Sequence, residues 1–341
     1  MTSTPADTNA PQDNGAARPP HRNAIVFIFI TVLINMIGFG IVMPVMPDLI
    51  MTVIGGDVST AAEWGGYLSV AYAAMQFVMM PIIGGLSDRF GRRPVLLTSL
   101  GAYSIDYLIM AVAPAISVIV VARLFAGAFA ATFSTANAFI ADISPPEKRA
   151  ANFGLIGAAF GLGFIIGPGL GGIIGEAYGP RAPFFVVAAL GILNLIYGFI
   201  VLPETLKPEN RRAFSWRRAN AFGSFVQFRQ YPVMAPIAGA LFLYQVGHWT
   251  FPSVWAYFAK EKFQWDPSAI GWSLMFVGLT AALVQGGLTR IAIPRFGERA
   301  CALFGMCVAI AAYISYAYAT TAQMIYALIA VSSLTGLIVP S

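Results

Sequence analysis

Long apolar runs separated by short polar connections make up most of the chain from residue 24 onward. A helix that crosses the hydrocarbon of a bilayer needs roughly 20 mostly apolar residues. The runs of about that length lie at residues 24–46, 65–87, 94–113, 115–141, 150–175, 181–203, 233–258, 268–292, 299–318 and 322–341. The pattern therefore predicts an all-α polytopic membrane protein with ten spans.

Two polar segments interrupt or precede these runs. Residues 1–22 are rich in Pro, Asn, Asp, Thr and Ala and contain no apolar run, which predicts a disordered tail rather than a cleaved signal peptide. Residues 204–232 are polar and basic, and predict a cytoplasmic linker between a six-helix bundle at 23–203 and an incomplete four-helix bundle at 233–341. An amphipathic helix on the membrane surface is expected within this linker around Trp216 to Phe228.

Composition supports a membrane protein and excludes several other classes. Only 10% of the residues are charged and 58% are hydrophobic, whereas a soluble domain has about 25% charged residues. The net charge of +5 does not indicate a nucleic-acid partner, because the basic residues lie in connections between apolar runs. Cys301 and Cys307 fall in one run and are interpreted as packing residues. No nucleotide loop, metal cluster or nucleophile with a base is present, so we predict no enzyme activity, cofactor or metal.

The distribution of basic residues predicts the orientation. Lys and Arg concentrate in alternate connections. The first two connections on the opposite side contain Asp48, Asp57 and Glu63 but no Lys or Arg. Because basic connections remain in the cytoplasm, the N-terminus is predicted to be cytoplasmic. The protein is expected to be a monomer in the inner (plasma) membrane. The basic residues concerned are Arg89, Arg92, Arg93, Lys148, Arg149, Lys207, Arg211, Arg212, Arg217, Arg218, Arg229, Arg290, Arg295 and Arg299.

A degraded internal repeat relates the two predicted bundles. The segment "GGLT" at 286–289 matches "GGLS" at 84–87, and "RFGER" at 295–299 matches "RFGRR" at 89–93. The repeat recurs six spans later, which predicts two related halves that move about a central site.

Two motifs then carry a resemblance to a known family. The connection "GGLSDRFGRRP" resembles the signature of the major facilitator superfamily, and "GLGFIIGPGLGG" resembles the antiporter signature of its drug:proton branch. The stretches "GFGIVMPVMP" and "SIDYLIMA" are similar to tetracycline efflux proteins. The resemblance implies twelve spans, so that this ten-span chain is expected to be a fragment or a truncated product. The antiporter signature comprises Gly154, Gly163, Gly167, Pro168, Gly171 and Gly172.

The resemblance implies a gating role for the first motif. In the family its aspartate, here Asp88, docks on the eleventh helix, and an arginine pairs with an acid that matches Asp142. Asp88 and Arg92 also stand at i and i+4 and can meet on one helix face. The alternative is that these charges only mark the cytoplasmic side. The residues implied in gating are Gly84, Asp88, Arg89, Gly91, Arg92, Arg93 and Asp142.

Asp106 and Arg123 are ionisable residues in the middle of apolar runs. They stand eight or nine positions either side of the connection near Pro114 and Ala115, so both lie roughly 12 Å below the outer surface and can pair. Ionisable groups at this depth are functional candidates, the alternative being a structural ion pair. The resemblance associates the arginine with proton coupling and places the aspartate along the substrate path. We expect both Asp106 and Arg123 to take part in proton coupling.

The glycines of the antiporter motif also have a packing explanation. Gly163, Gly167, Gly171 and Gly175 recur every four residues and form a helix face without side chains, against which another helix can pack closely. Pro168 removes one backbone hydrogen bond and can bend the helix.

The remaining polar residues bear on the substrate. Tetracycline pumps carry an aspartate where this chain has Asn35 and another near Ala309, which argues against a cationic drug or a metal–drug complex. The polar groups left to line a cavity are Asn35, Gln76, Asn137, Gln245 and His248, although each can equally form an interhelical hydrogen bond. We therefore expect proton-coupled efflux of small hydrophobic drugs, tetracycline-like or multidrug, by alternating access. The alternatives are a metabolite or sugar permease of the same superfamily and a non-transporting remnant.

Overall fold

The computed structural model describes residues 22–216, 219–221, 223 and 234–338. Within these residues the regular structure is entirely helical. The predicted disordered tail, apart from Arg22, and most of the predicted amphipathic helix around Trp216 to Phe228 lie outside the described residues.

Seven α-helices form the first half of the described chain. They are α1 (Arg22–Ile54), α2 (Val58–Phe90), α3 (Arg92–Val112), α4 (Ile116–Ala128), α5 (Thr132–Ile143), α6 (Pro146–Tyr178) and α7 (Ala182–Val201). A short 3-10 turn at Pro208–Asn210 follows in the linker.

The second half continues the helical pattern. It contains α8 (Met234–Phe263), α9 (Pro267–Leu283), a π-helical turn (Val284–Leu288), α10 (Thr289–Phe296), α11 (Glu298–Tyr318), α12 (Ala322–Ser332) and a 3-10 turn (Ser333–Leu337).

Eight of the described helical segments are long and apolar enough to cross a membrane, if α4 with α5 and α9 with α10 are each counted as one. The other two predicted spans are also helical. One is α8, whose apolar content is reduced by Gln245, His248 and the charged end at residues 260–262, and the other is α12, which is short. The chain is therefore an integral membrane protein with at least eight apolar spans.

Polar residues before the helices explain several of their starting points. The carboxylate of Asp57 accepts a hydrogen bond from the backbone N–H of Thr60 at 2.9 Å and begins α2. The hydroxyl of Thr60 also donates to this carboxylate, and the two hydrogen bonds lower the pKa of Asp57. Asp266 begins α9 in the same way, accepting from the N–H of Ala269 at 2.7 Å. Such side chains satisfy donors that the first helical turn leaves unpaired.

The fourth predicted span is interrupted, which corrects the expectation of one continuous helix at 115–141. Helix α4 ends at Ala128 and α5 begins at Thr132. The carbonyl oxygen of Ala130, in the break, faces the side-chain amide of Gln76 on α2, with the two atoms 3.5 Å apart. A side chain at Gly127 would overlap the backbone of Tyr72. The close approach of α2 therefore coincides with the break, although no proline marks it in the sequence.

Apolar cores lie within each half and also between them. One core lies where α1 and α3 end, with α2, α4 and α7, and it includes Tyr257 of α8. Another lies where α1 and α3 begin, with α5 and α6. In the second half Trp255 is buried against Ile270 and Tyr316, and its indole N–H donates to the hydroxyl of Ser273 at 2.8 Å. The exact boundaries of the two bundles remain a prediction.

Candidate functional site

A cavity of about 610 Å³ lies between the two halves. Helices α1 to α4 line it from the first half, with the break between α4 and α5 and the start of α5, and α8 lines it from the second half. Four residues that the sequence singles out contribute to its wall. They are Asn35, Gln76, Asp106 and Arg123. We refer to this space as the central cavity.

An ion pair stands at the wall of the central cavity. The Nη2 atom of Arg123 donates to Oδ2 of Asp106, and the two side chains are 12% and 3% exposed. The other carboxylate oxygen of Asp106 and the Nε atom of Arg123 are buried with no hydrogen-bond partner among the described residues. A buried pair recovers its desolvation cost only when its remaining polar atoms are also bonded. Because two of its polar atoms lack partners in the described part of the chain, this ion pair is expected to contribute little to the stability of the fold.

Tyrosine rings surround the ion pair. The guanidinium of Arg123 lies over the ring of Tyr72, 5.8 Å from its centroid. Tyr103 and Tyr107 pack against each other with ring centroids 4.6 Å apart, and the hydroxyl of Tyr103 donates to the carbonyl oxygen of Ile34 at 3.0 Å. The ring of Tyr72 holds the guanidinium in place, and the three rings form an aromatic wall suited to an apolar ligand.

A second cavity of about 550 Å³ is lined by α6, α8, α9, the π-helical turn, α10, α11, α12 and the 3-10 turn that follows α12. The structure places Gln245 and His248 in this lining. Asn137 is in the lining of neither cavity. Trp249 and Pro252 line both cavities. Four of the five predicted polar residues therefore divide between the two cavities, and Asn137 lies outside both.

The two halves meet at the face where α1 ends and α2 begins, the predicted outer face. The ammonium of Lys260 on α8 lies 2.7 Å from Oδ1 of Asp48 on α1. The ring of Tyr257, also on α8, occupies the space beside Gly65, where any side chain would overlap its hydroxyl. These contacts close the predicted outer end of the central cavity.

At the opposite face, Arg92 contacts both acidic residues of the predicted gating set. Its Nη1 atom donates to Oδ1 of Asp88 at 2.6 Å and to the hydroxyl of Ser87 at 3.1 Å. Its Nε atom donates to Oδ2 of Asp142 at 3.2 Å. The side chain of Arg92 is 14% exposed, so its charge is largely sheltered from solvent. The end of α2, the start of α3 and the end of α5 are thus joined by one guanidinium.

The other residues of the gating set have different surroundings. Arg93 donates from Nη2 to the carbonyl oxygen of Phe199 at 2.8 Å. The guanidinium of Arg89 lies over the neighbouring ring of Phe90. Gly91 separates α2 from α3 with φ +111, a conformation that favours glycine. A side chain at Gly84 would meet no described atom within 4 Å.

Glu204 is a residue of this region that sequence reasoning missed. Its carboxylate accepts hydrogen bonds from the backbone N–H groups of Arg92 at 2.9 Å and Arg93 at 3.2 Å, at the start of α3. It also accepts from Thr205 and Leu206 in its own loop, at 3.0 and 2.9 Å. A carboxylate is favoured at a helix N-terminus. No local pattern signals this role, because 112 residues separate Glu204 from Arg92.

We expect Glu204→Ala to destabilise the protein by about 1 kcal/mol, as loss of a helix N-cap typically does. Gly91 offers no side chain that could replace the carboxylate. The thermal midpoint of the purified protein should fall, while Glu204→Gln, which keeps one acceptor oxygen, should retain most of the stability. An unchanged midpoint in the alanine variant would argue against the capping role.

The glycines of the antiporter motif form contacts on two sides of α6. On the side of α1, a Cβ at Gly167 would lie 2.6 Å from the carbonyl oxygen of Ile37, and one at Gly171 would overlap Ile41. Toward α9, a Cβ at Gly172 would lie 3.0 Å from Cα of Ser268.

The remaining motif positions complete this arrangement. A Cβ at Gly163 would lie 2.8 Å from the carbonyl oxygen of Leu33, and Pro168 is buried within α6. Gly154 differs, because a Cβ there would meet no described atom within 4 Å. Helix α6 therefore packs closely on its own half and on the other half at once, mainly between Gly163 and Gly172.

Comparisons with known proteins agree with this architecture. A model of the Major Facilitator Superfamily matches residues 28–341. Tetracycline resistance protein, class C, of Escherichia coli is 38% identical over 319 residues, which cover 94% of this chain and 80% of that protein. Multidrug resistance protein 2 of Bacillus subtilis is 30% identical over 278 residues, which cover 80% of this chain and 68% of that protein.

Solved structures share the fold at lower identity. The human organic anion transporter MFSD10 (TETRAN) matches with a TM-score of 0.67 and 23% identity, covering 94% of this chain and 86% of its own. A bacterial homolog of the human lysosomal transporter Spinster, in an inward-facing and occupied conformation, matches with a TM-score of 0.72 and 16% identity, covering 94% and 73%. The sequence matches confirm the resemblance that the two motifs carry.

Proposed function

We propose that this chain, which belongs to the major facilitator superfamily, is a proton-coupled exporter of small hydrophobic compounds. Its relatives are transporters and not enzymes, and they include tetracycline resistance and multidrug resistance proteins. The observation that carries the proposal is the Asp106–Arg123 pair, which is buried in the wall of a cavity between the two halves.

In the proposed mechanism, Asp106 alternates between a carboxylate paired with Arg123 and a neutral acid. A charged group at this depth is costly unless it is paired, so the protonated and ionised forms favour different arrangements of α3 and α4. Protonation weakens the attraction of Asp106 for Arg123 and for polar groups of the ligand. Proton binding and ligand binding thereby exclude each other, which is the requirement for exchange.

Alternating access would follow from movement between the halves. The Asp48–Lys260 contact and the packing of Tyr257 on Gly65 close the predicted outer face in the present arrangement. The side-chain-free face of α6 lets two halves in close contact move past each other. We propose that the protein acts as a monomer in the inner membrane. Its N-terminus is proposed to lie in the cytoplasm, because basic connections remain on that side of a membrane.

The cluster of Arg92, Asp88 and Asp142 is proposed to bias this movement at the cytoplasmic face. Arg92 holds Asp88 and Asp142 together, so any rearrangement of α2 against α5 must alter one of these contacts. In this proposal Asp88, placed at the end of α2 with 41% of its side chain exposed, remains able to contact a further group.

A cysteine pair tests the closure of the outer face. In a background in which Cys301 and Cys307 are replaced by alanine, a cleavable bifunctional thiol reagent should cross-link Asp48→Cys with Lys260→Cys in resting membranes and stop transport until it is cleaved. A reagent with a spacer is needed because a direct disulfide requires Cα atoms within about 7 Å, whereas this contact is made through a long lysine side chain. Each single cysteine variant treated with the same reagent is the control. Transport that continues unchanged with the Asp48–Lys260 pair fully cross-linked would contradict alternating access at this face.

Efflux from living cells tests the function as a whole. Expression in a bacterial strain that lacks its own drug pumps should lower the accumulation of a hydrophobic dye, and a protonophore should restore the accumulation. Equal accumulation with and without the protein, at a confirmed membrane level, would overturn the proposal.

A further inference from the structure

The second cavity differs from the central cavity in its charge. Among the described residues that line it, none is Asp, Glu, Lys or Arg. Its polar groups are neutral amides and hydroxyls, with His248 as its titratable ring in addition to its tyrosines. On α11 the lining is Ala309, Ala312, Tyr313 and Tyr316, so this helix contributes no ionised group. A permanent cation or anion would therefore find no opposite charge in this space.

Aromatic side chains form much of the wall. The rings of Tyr244 and His248 stack with centroids 5.7 Å apart and an interplanar angle of 19°. Trp249 meets His248 edge-on, with centroids 6.2 Å apart at 81°. Tyr313 is held toward α8 by a hydrogen bond from its hydroxyl to the carbonyl oxygen of Gly247 at 3.4 Å. These rings offer both faces and edges to a flat ligand.

Among the described residues of the lining, the neutral polar groups are two carboxamides and several hydroxyls, which include those of Thr280, Thr289, Ser332, Ser333 and Thr335. Gln245 lies on α8 beside the stacked rings, and Gln285 lies in the π-helical turn. Each carboxamide supplies two donors and an acceptor. The hydroxyls of Thr280, Thr289, Ser332 and Ser333 donate to backbone carbonyl oxygens of their own helical segments. A pocket of about 550 Å³ with aromatic walls and two carboxamides among its polar groups is suited to a small molecule.

The two cavities adjoin at α8. Trp249 and Pro252 belong to the lining of both, and Trp249 also contacts Phe39 of α1 edge-on with centroids 6.3 Å apart. A ligand that occupies the second cavity can thus reach toward the central cavity past Trp249. Its polar end would there meet the ion pair of Asp106 and Arg123.

We infer that the second cavity binds the uncharged, planar aromatic part of the exported compound, whose polar end extends past Trp249 toward the Asp106–Arg123 pair. This inference rests on the proposed function and names the substrate class of the same site. It predicts that neutral polycyclic aromatic compounds bind better than permanent cations of similar size.

Equilibrium binding to the purified full chain tests the inference without any gradient. The neutral probe is N-phenyl-1-naphthylamine and the cationic probe is ethidium, both followed by fluorescence at pH 8, where an ordinary histidine is neutral. The wild-type protein should bind the neutral probe more tightly than ethidium. Ethidium that displaces the neutral probe with an affinity equal to that of the probe itself would overturn the inference without any variant being needed.

Ala309→Asp supplies a sharper test, because it places a carboxylate in the uncharged lining. Ethidium affinity should rise at least about tenfold, as close charge pairs allow, and the neutral probe should bind more weakly. Ala309→Asn, which has the same shape without the charge, should leave the ethidium affinity close to that of the wild type. Equal effects of Asp and Asn on ethidium would contradict the charge argument.

Tyr244→Leu provides a second variant that does not place a charge in the membrane. Loss of the ring should weaken binding of the neutral probe roughly two- to tenfold, the range expected for an aromatic pair. An unchanged affinity would place the probe elsewhere. Because binding is measured without a gradient, the inference can stand if proton coupling fails, and coupling can stand if the neutral preference fails.

Discussion

Asp106→Asn is expected to abolish proton-coupled efflux while the protein still reaches the membrane. The substitution removes the titratable group that proton exchange requires and leaves Arg123 buried without its carboxylate. Breaking a buried ion pair by removing one partner costs about 3–5 kcal/mol, so a lower yield is also expected. Drug resistance should fall to that of cells without the protein, measured at matched membrane levels.

The double variant Asp106→Asn with Arg123→Gln separates coupling from folding. It removes both charges, so no uncompensated ion remains and the yield should recover toward the wild-type value. Proton-coupled efflux should remain absent, because neither side chain can exchange a proton. Unchanged resistance in Asp106→Asn would refute the proposed role of Asp106. Restored coupling in the double variant would refute the role of the pair.

Gly171→Ala should damage the protein through a single added methyl group. A Cβ at this position would lie 2.8 Å from Cα of Ile41 and overlap its carbonyl oxygen, so the backbones of α6 and α1 must separate. Overpacking of this kind costs about 1–3 kcal/mol. Both the thermal midpoint and the efflux activity should fall, because α6 also contacts the second half of the chain through Gly172.

Two other glycines of α6 serve as matched controls. A Cβ at Gly154 or at Gly161 would meet no described atom within 4 Å. Alanine is also a better helix former than glycine by about 1 kcal/mol, so Gly154→Ala and Gly161→Ala should leave stability unchanged or slightly raised. If Gly171→Ala were tolerated as well as Gly154→Ala, the close packing of α6 on α1 would not be what requires glycine there.

The helices were predictable because a bilayer imposes one requirement on every span. About 20 apolar residues are needed for each crossing, and this length is visible directly in the sequence. The paired depth of Asp106 and Arg123 was predictable by counting residues from the connection between their helices. The structure places these two side chains in contact, and their role in coupling remains a prediction.

Contacts between distant segments were not predictable in the same way. The break at Ala130 follows the approach of α2 and has no proline to mark it. The carboxylate of Glu204 accepts a hydrogen bond at the start of α3, which begins 112 residues earlier in the chain. The assignment of Gln245 and His248 to a second cavity, with Asn137 in neither, depends on the rotation of each helix about its axis. Hydropathy alone does not determine that rotation.

The most direct test of the central claim uses the purified full chain in sealed liposomes with no other energy source. An imposed pH gradient should drive accumulation of N-phenyl-1-naphthylamine on the acidic side, together with a matching movement of protons toward the other side. A protonophore and Asp106→Asn should each abolish the accumulation. Accumulation that persists in Asp106→Asn or that ignores the protonophore would contradict proton-coupled export through this site.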